Sequence, residues 1–492
     1  MRAAVVVVAL VLAAPALAKG PRGLDRAKIP PGGPTPPLVL PRPLHARLAS
    51  GAQLLVVERH GLPMAAVAVV WPRGAGDEPL ADAGLSGLCA ALLDQGTAKH
   101  RAPELADAVD RLGAQLQSGS GWDSTAVTLQ TLTRHLDASL ALLGEVLATP
   151  TFDAKELERV RAERITALVE QRDAATGVAA EVFGRVLFGE RRYGRPVLGT
   201  EASLKRFSRD DVMRWQRERL RPSAATVIVV GDVDAKTIAA TLDRALAEWK
   251  EPTAPPNVAT AATAAPLPAP RHVLVDKPGS PQSEVRLGMP GAPRLSPDWY
   301  ALTVMNEILG GGEFANRLNM SLREEHAFAY GAGSTFAFRR DGGPFVAWSA
   351  VRSDATAESL GVFLSELMRI RAVPVQPDEL RFAKDALVRG MARHFATLGD
   401  LATVLADQVV YGLPDDFLPT FAKKIEAITA AEVLRAAAAH LDPAKLSIVV
   451  VGDRALVGEA IDALPLGRFE TVDAEARPTA ATKPPAPAPT AR

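Results

Sequence analysis

A single cysteine in 492 residues, Cys89, leaves this chain with no possible internal disulfide. It also excludes a zinc site built from thiolates, which needs several of them. Cys89 sits inside an apolar stretch and reads as a buried packing residue rather than a nucleophile. An excess of one charge is lacking too: Lys+Arg and Asp+Glu each total 56, for a formal net charge of zero. Without a global basic field, no nucleic-acid partner is expected. Histidine is scarce. None of the eight lies within four residues of another, so no helical turn can aim two imidazoles at one metal ion. After the first 18 residues no apolar run approaches the roughly 20 residues that a membrane-spanning helix requires.

What is present begins with a leader. Residues 1–18 open with Met-Arg, run apolar from Ala3 to Leu12 and close on Ala16-Leu17-Ala18, the small-x-small pattern of a signal-peptidase site. This predicts an exported protein, periplasmic or secreted, whose mature chain starts near Lys19 and keeps no stable transmembrane segment. No cysteine follows the cleavage site to carry a lipid.

Pro/Ala-rich stretches divide the remainder into a linker over 19–43, a first domain over 44–250, a linker over 251–270, a second domain over 271–467 and a disordered tail over 468–492. The two domains repeat each other. "RPSAATVIVVGD" ends at Asp232 and "DPAKLSIVVVGD" at Asp453, 221 residues on. Asp211-Val212 and Glu432-Val433 repeat at the same spacing, and Glu156-Leu157 and Glu379-Leu380 at 223. Three matches in one order argue for a duplicated domain.

Within the first half, β-branched runs at 52–58 and 65–71 flank a turn at His60-Gly61-Leu62-Pro63. Amphipathic patterns near 82–94, 103–112, 134–148, 153–172 and 176–188 predict helices, with a strand over 120–132 and a buried closing strand at "ATVIVVGD". The expected fold class is α+β: two homologous domains, each a mostly antiparallel sheet packed against a layer of helices.

Four segments, "GLSGLCAALLDQGT" (84–97), "RRYGRPVLGT" (191–200), "RLRPSAATVIVVGD" (219–232) and "LGGGEFANRLNMSLREEHAFAYGAGS" (309–334), resemble the pitrilysin/insulinase family of zinc peptidases, including its mitochondrial processing peptidase branch. The likeness covers about 44 to 465. Active members carry His-x-x-Glu-His on the first of these helices, where two histidines one turn apart hold zinc and the glutamate activates its water. In this sequence the resemblance puts Gly87, Ala90 and Ala91 at those positions, and Ala167 near the third ligand, a glutamate about 76 residues downstream in the family. None has a side-chain donor; Glu163 and Glu170 are nearby but out of step. The chain is therefore expected to bind no metal. The small residues at 87, 90 and 91 would let a neighbouring element pack where the metal would sit.

The second half keeps what the first has lost. The family's second domain supplies an Arg and, seven residues later, a Tyr that contact substrate backbone and the developing oxyanion. Arg323 and Tyr330 stand at that spacing, and a guanidinium fork and a phenol are suitable donors. Taken alone, the pair could as well be a helix salt bridge and a packed ring. Gly310, Gly311 and Gly312 read as a tight loop, and His326, between the pair, as a surface residue. "GWDSTAVTLQ" falls at the family strand whose edge pairs with extended peptide, but the usual Asn-Ala is missing and Gln115-Leu116-Gln117 lies in its neighbourhood. Some bacterial members of the family are two-chain enzymes with zinc in one chain and the Arg/Tyr pair in the other. The resemblance thus implies a non-catalytic subunit whose partner is a zinc-bearing insulinase-family chain and whose substrate is an unfolded peptide. A scaffold or peptide-binding protein of the same fold is the alternative.

Overall fold

The computed structural model describes residues 42–253 and 266–479. The leader at 1–18 lies outside the described residues, as does most of the first linker.

The described residues form two six-stranded sheets. The first contains β1 (Leu44–Arg47), β2 (Gln53–Glu58), β3 (Met64–Trp71), β4 (Gln115–Ser120), β5 (Thr125–Leu132) and β6 (Thr226–Gly231). The second contains β7 (His272–Asp276), β8 (Gln282–Pro290), β9 (Ala329–Phe336), β10 (Pro344–Arg352), β11 (Ser447–Gly452) and β12 (Glu470–Val472). Their orders are β1-β2-β6-β3-β5-β4 and β12-β7-β11-β8-β10-β9. The repeated "VIVVG" and "IVVVG" segments are β6 and β11, at the same place in each sheet. β2–β6 and β7–β11 are the matching parallel pairs, and β7–β12 is parallel as well; the other pairs are antiparallel. This is the α+β, two-domain architecture expected from the repeat.

Both β6 and β11 are buried along their whole length, so each sheet needs cover on two faces. In the first sheet Leu54, Val56, Val67 and Val229 join a core with that half's own helices. The alternate residues Leu55, Val57, Ala66, Ala68, Ile228 and Val230 point the other way, into the core that holds Leu401 and Leu405. Those leucines lie on the helix Leu398–Tyr411, which crosses from the second half to pack on β3 and β6. The helix Ala175–Phe188 of the first half packs reciprocally on β8 and β11, placing Val182, Phe183 and Val186 against Val449 and Val451. Local sequence fixes where the crossing helix Leu398–Tyr411 starts and stops. The Thr397 hydroxyl accepts from the Asp400 amide, and Gly412 ends the helix in the left-handed region at φ 63°.

Polar contacts join the halves where the helices cross. Asp123, 3% exposed, accepts from the Tyr193 hydroxyl at 3.0 Å and the Arg192 Nη1 at 3.3 Å. From the second half, the Arg340 amide donates to it at 3.0 Å and the Tyr411 hydroxyl at 3.4 Å.

Two sequence expectations need correction. The strand expected over 120–132 is split by a turn: Ser120 ends β4, and Thr125–Leu132 forms β5. β5 is an inner strand, so the free edge assigned to "GWDSTAVTLQ" belongs to β4, where Gln115, Leu116 and Gln117 lie. The tail expected to be disordered from 468 continues the fold, because Phe469 is buried and β12 pairs with β7. Its apolar residues are too few to show as a periodic pattern; the neighbouring strand supplies the order. Residues 480–492 lie outside the described residues.

Asp123→Ala would leave the Tyr193 and Tyr411 hydroxyls and the Arg340 amide without their shared acceptor and break these bonds between halves, while Asp77 and Asp341 still pair with Arg192. Chemical denaturation is expected to show a loss of about 3 kcal/mol, typical of removing one partner from a buried charge pair.

Candidate functional site

Gly84 starts the helix Leu85–Leu92 in the left-handed region at φ 94°, facing Gly199 at φ 86°. A Cβ on Gly84 would lie 2.6 Å from the Gly199 Cα, so both glycines are needed for the close approach of "RRYGRPVLGT" to the motif helix. The helix is buried on nearly every side, and Cys89 within it is fully buried, its thiol pKa pushed up by burial. This is an inert packing cysteine.

Gly87 answers what fills the metal position. A Cβ there would collide with the Arg164 guanidinium, because the Arg164 side chain reaches across from the helix Ala154–Asp173. A guanidinium thus lies against the first of the positions where active relatives present histidine. Ala90, Ala91 and Ala167 add no donor. Glu163 instead pairs with Arg159 at 2.7 Å and Glu170 is exposed. Among the described residues no group of three His, Cys, Asp or Glu is placed to hold a metal ion. The residues at this position do not fit zinc: they offer no ligands and bring a fixed cation of their own.

Sequence reasoning missed Arg164. The available signal was its place one turn before Ala167 on the same helix face. The acid that acts on it is Glu78, 2% exposed, which accepts from the Gly84 amide at 3.0 Å and from the Ser86 amide. Burial lifts the Glu78 pKa to about 7 against these two bonds. Burial also pulls the Arg164 pKa below the usual guanidinium range, with Glu78 opposing, and its Nε has no hydrogen-bond partner.

The second half presents the other expected residues together. Arg323 lies in a wide helical turn, Met320–Glu325, and Tyr330 near the start of edge strand β9. The Arg323 guanidinium carbon is 5.3 Å from the centroid of Tyr330 and 5.3 Å from that of Phe314. Tyr330 is 85% exposed and Phe314 64%, so this sandwich faces solvent. Between Arg323 and Tyr330, Ala327 is held at φ 53°, which costs a non-glycine residue on the order of 1 kcal/mol. His326 is exposed, with its Nδ1 2.8 Å from the Ser321 carbonyl and its ring beside Phe328. The expected loop at Gly310–Gly312 is instead mostly helical, since Glu307–Gly311 widens the end of the helix Trp299–Asn306. These glycines serve close approach: a Cβ on Gly310 would lie 2.5 Å from the Ser334 amide of β9.

Comparison with known proteins agrees with this frame. The family model for insulinase peptidases (peptidase family M16) matches residues 54–201, and that for the peptidase M16 inactive domain matches residues 206–387. The chain belongs to the insulinase family. An uncharacterized zinc protease of Mycobacterium bovis is 24% identical to it over 429 residues, 86% of this chain and 96% of the relative. A non-peptidase homolog of Helicobacter pylori is 22% identical over 400 residues, 81% of this chain and 91% of that one. The crystal structure of a peptidase M16 inactive domain from Pseudomonas fluorescens superimposes with a TM-score of 0.77 at 24% identity, covering 84% of this chain and 98% of that one. Such identities establish the insulinase fold; the chemistry rests on the residues. Among the described residues no helix is long and apolar enough to cross a membrane.

Glu78 makes a prediction about pH. Its folded-state pKa near 7 exceeds the ordinary 4.5, so the folded state holds a proton that the unfolded chain has already released. Its contribution to stability is complete below the ordinary value and is lost as pH rises through about 7. Denaturation midpoints measured across that window should fall for the wild type relative to Glu78→Gln.

Proposed function

We propose that this chain is the exported, non-catalytic subunit of a heterodimeric zinc peptidase. One contrast carries this reading. Arg164 lies against Gly87 at the family's metal position, while Arg323 and Tyr330 stay together and open to solvent. A chain selected for its own hydrolysis would retain ligands at 87, 91 and 167. A chain selected to assist a partner needs only the donors. The hydrolytic centre then belongs to a zinc-bearing insulinase-family partner. Arg323 and Tyr330 supply N–H and O–H groups to the backbone of an unfolded peptide and to the carbonyl oxygen that gains charge during its cleavage. The free edge of β4 offers that peptide backbone hydrogen bonds as an added strand. The leader read from the sequence at 1–18 supports a reaction outside the cytoplasm.

A second reading, a scaffold or peptide-binding protein with no hydrolytic complex, draws support from the Helicobacter pylori relative described as a non-peptidase homolog.

The experiment is reconstitution with the zinc-bearing family partner and turnover of an unstructured fluorogenic peptide. Arg323→Ala and Tyr330→Phe are each expected to lower turnover by about 10²-fold, the scale of losing one oxyanion donor. Unchanged turnover in both variants would remove the assigned role.

A further inference from the structure

The duplication places a second, open version of the degenerate metal position in the other half. In the first half the run Ala91-Leu92-Leu93-Asp94-Gln95-Gly96 closes the motif helix. In the second, Glu307-Ile308-Leu309-Gly310-Gly311-Gly312 occupies the corresponding place, with its buried pair Ile308-Leu309 matching Leu92-Leu93. In that register Gly87, Ala90 and Ala91 correspond to Thr303, Asn306 and Glu307. The helix facing them is Pro377–Met391, and the 223-residue spacing of Glu156 and Glu379 puts Leu387 where the first half has Arg164. The first half fills its position with an internal guanidinium, whereas the second brings an apolar side chain from the equivalent point of the facing helix.

A cleft of about 620 Å³ is left there, lined by Thr303, Glu307, Phe314, Tyr330, Trp348 and Leu387 among others. Asn306 is committed to the fold, its Nδ2 donating to the Ser334 carbonyl and its Oδ1 accepting from the Ser334 hydroxyl. The Glu307 carboxylate is not committed: among the described residues no hydrogen bond or ion pair holds it. The charged groups acting on it are Glu313 and Arg393, which pair with each other at 3.6 Å. Burial raises its pKa. Tyr330 and Phe314 are already stacked on Arg323, but a half-buried carboxylate in a cleft also lined by Trp348 and Leu387 suits a cation that carries an apolar stem.

We infer that this cleft binds the basic side chain, lysine or arginine, of a polypeptide, with its charged head on Glu307 and its stem along Trp348 and Leu387. The unfilled counterpart of the Arg164 position then receives from outside the kind of group that the first half supplies from within. Backbone pairing contributes little here. The Ala332 amide and Ser334 carbonyl of β9 are already taken by Asn319 and Asn306, so side-chain recognition must dominate. The inference rests on the peptide-binding part of the proposed function and adds a preference for basic residues.

The test is binding of three labelled, unstructured peptides, identical except for a central lysine, norleucine or glutamate, to the full chain by fluorescence anisotropy. The lysine peptide should bind at least tenfold tighter than the norleucine peptide. Glu307→Gln should abolish that difference while leaving norleucine binding unchanged, and Glu307→Lys should shift the preference to glutamate. Thermal melts confirm that each variant is folded. Equal binding of lysine and norleucine peptides, unaffected by either substitution, overturns the basic-residue site but leaves peptide binding standing. Failure of all three peptides to bind overturns both.

Discussion

Strands β6 and β11 are buried along their whole length, on both faces, and this constraint sets the rest of the architecture. One face of each sheet is covered by helices of its own half. The other is covered by a helix from the opposite half, Leu398–Tyr411 over the first sheet and Ala175–Phe188 over the second. The exchange makes the halves interdependent. Each fully buried leucine or valine at these contacts contributes roughly 1.5–3 kcal/mol, so separating the halves would expose more apolar area than either sheet could re-cover. Asp123, Tyr193, Arg340 and Tyr411 fix the register of the crossing with directional bonds. The result is a firm frame on which the candidate sites can diverge without endangering the fold.

Their divergence is the informative part. The duplicated frame carries two equivalent positions, each formed where a helix end meets a facing helix. In one, loss of ligand side chains is matched by Arg164, whose guanidinium lies where a histidine side chain would begin. In the other, Leu387 takes the arginine's place and Glu307 remains beside an open cleft. The acid that acts on this guanidinium is Glu78, held by backbone amides at the start of the motif helix. An internal cation at this position keeps the two helices packed and offers no ligand to a metal.

Much of this was legible in the sequence. The repeats at Asp232 and Asp453 located β6 and β11, and the periodicity near 153–172 and 176–188 located the helices Ala154–Asp173 and Ala175–Phe188. The missing donors at Gly87, Ala90, Ala91 and Ala167 were equally plain. Four things were not. The helix exchange is invisible because an amphipathic stripe shows that a helix buries one face, not which sheet it meets. Arg164 is invisible because an arginine in "RAERITAL" reads as one more solvated charge until its reach toward Gly87 is known. β12 is too short to carry a pattern, and its order comes from β7. Glu307 was passed over because its meaning depends on comparing the halves position by position, and on the unfilled cleft beside it.

The account turns on whether hydrolysis needs a second chain. The most direct measurement is bound zinc together with hydrolysis of an unstructured peptide, for the purified chain alone and for the chain mixed with a zinc-bearing insulinase-family chain, the proposed partner. The account predicts no zinc and no hydrolysis in the chain alone, and hydrolysis in the mixture with zinc tracking the partner. Stoichiometric zinc and chelator-sensitive hydrolysis in the chain alone would contradict it.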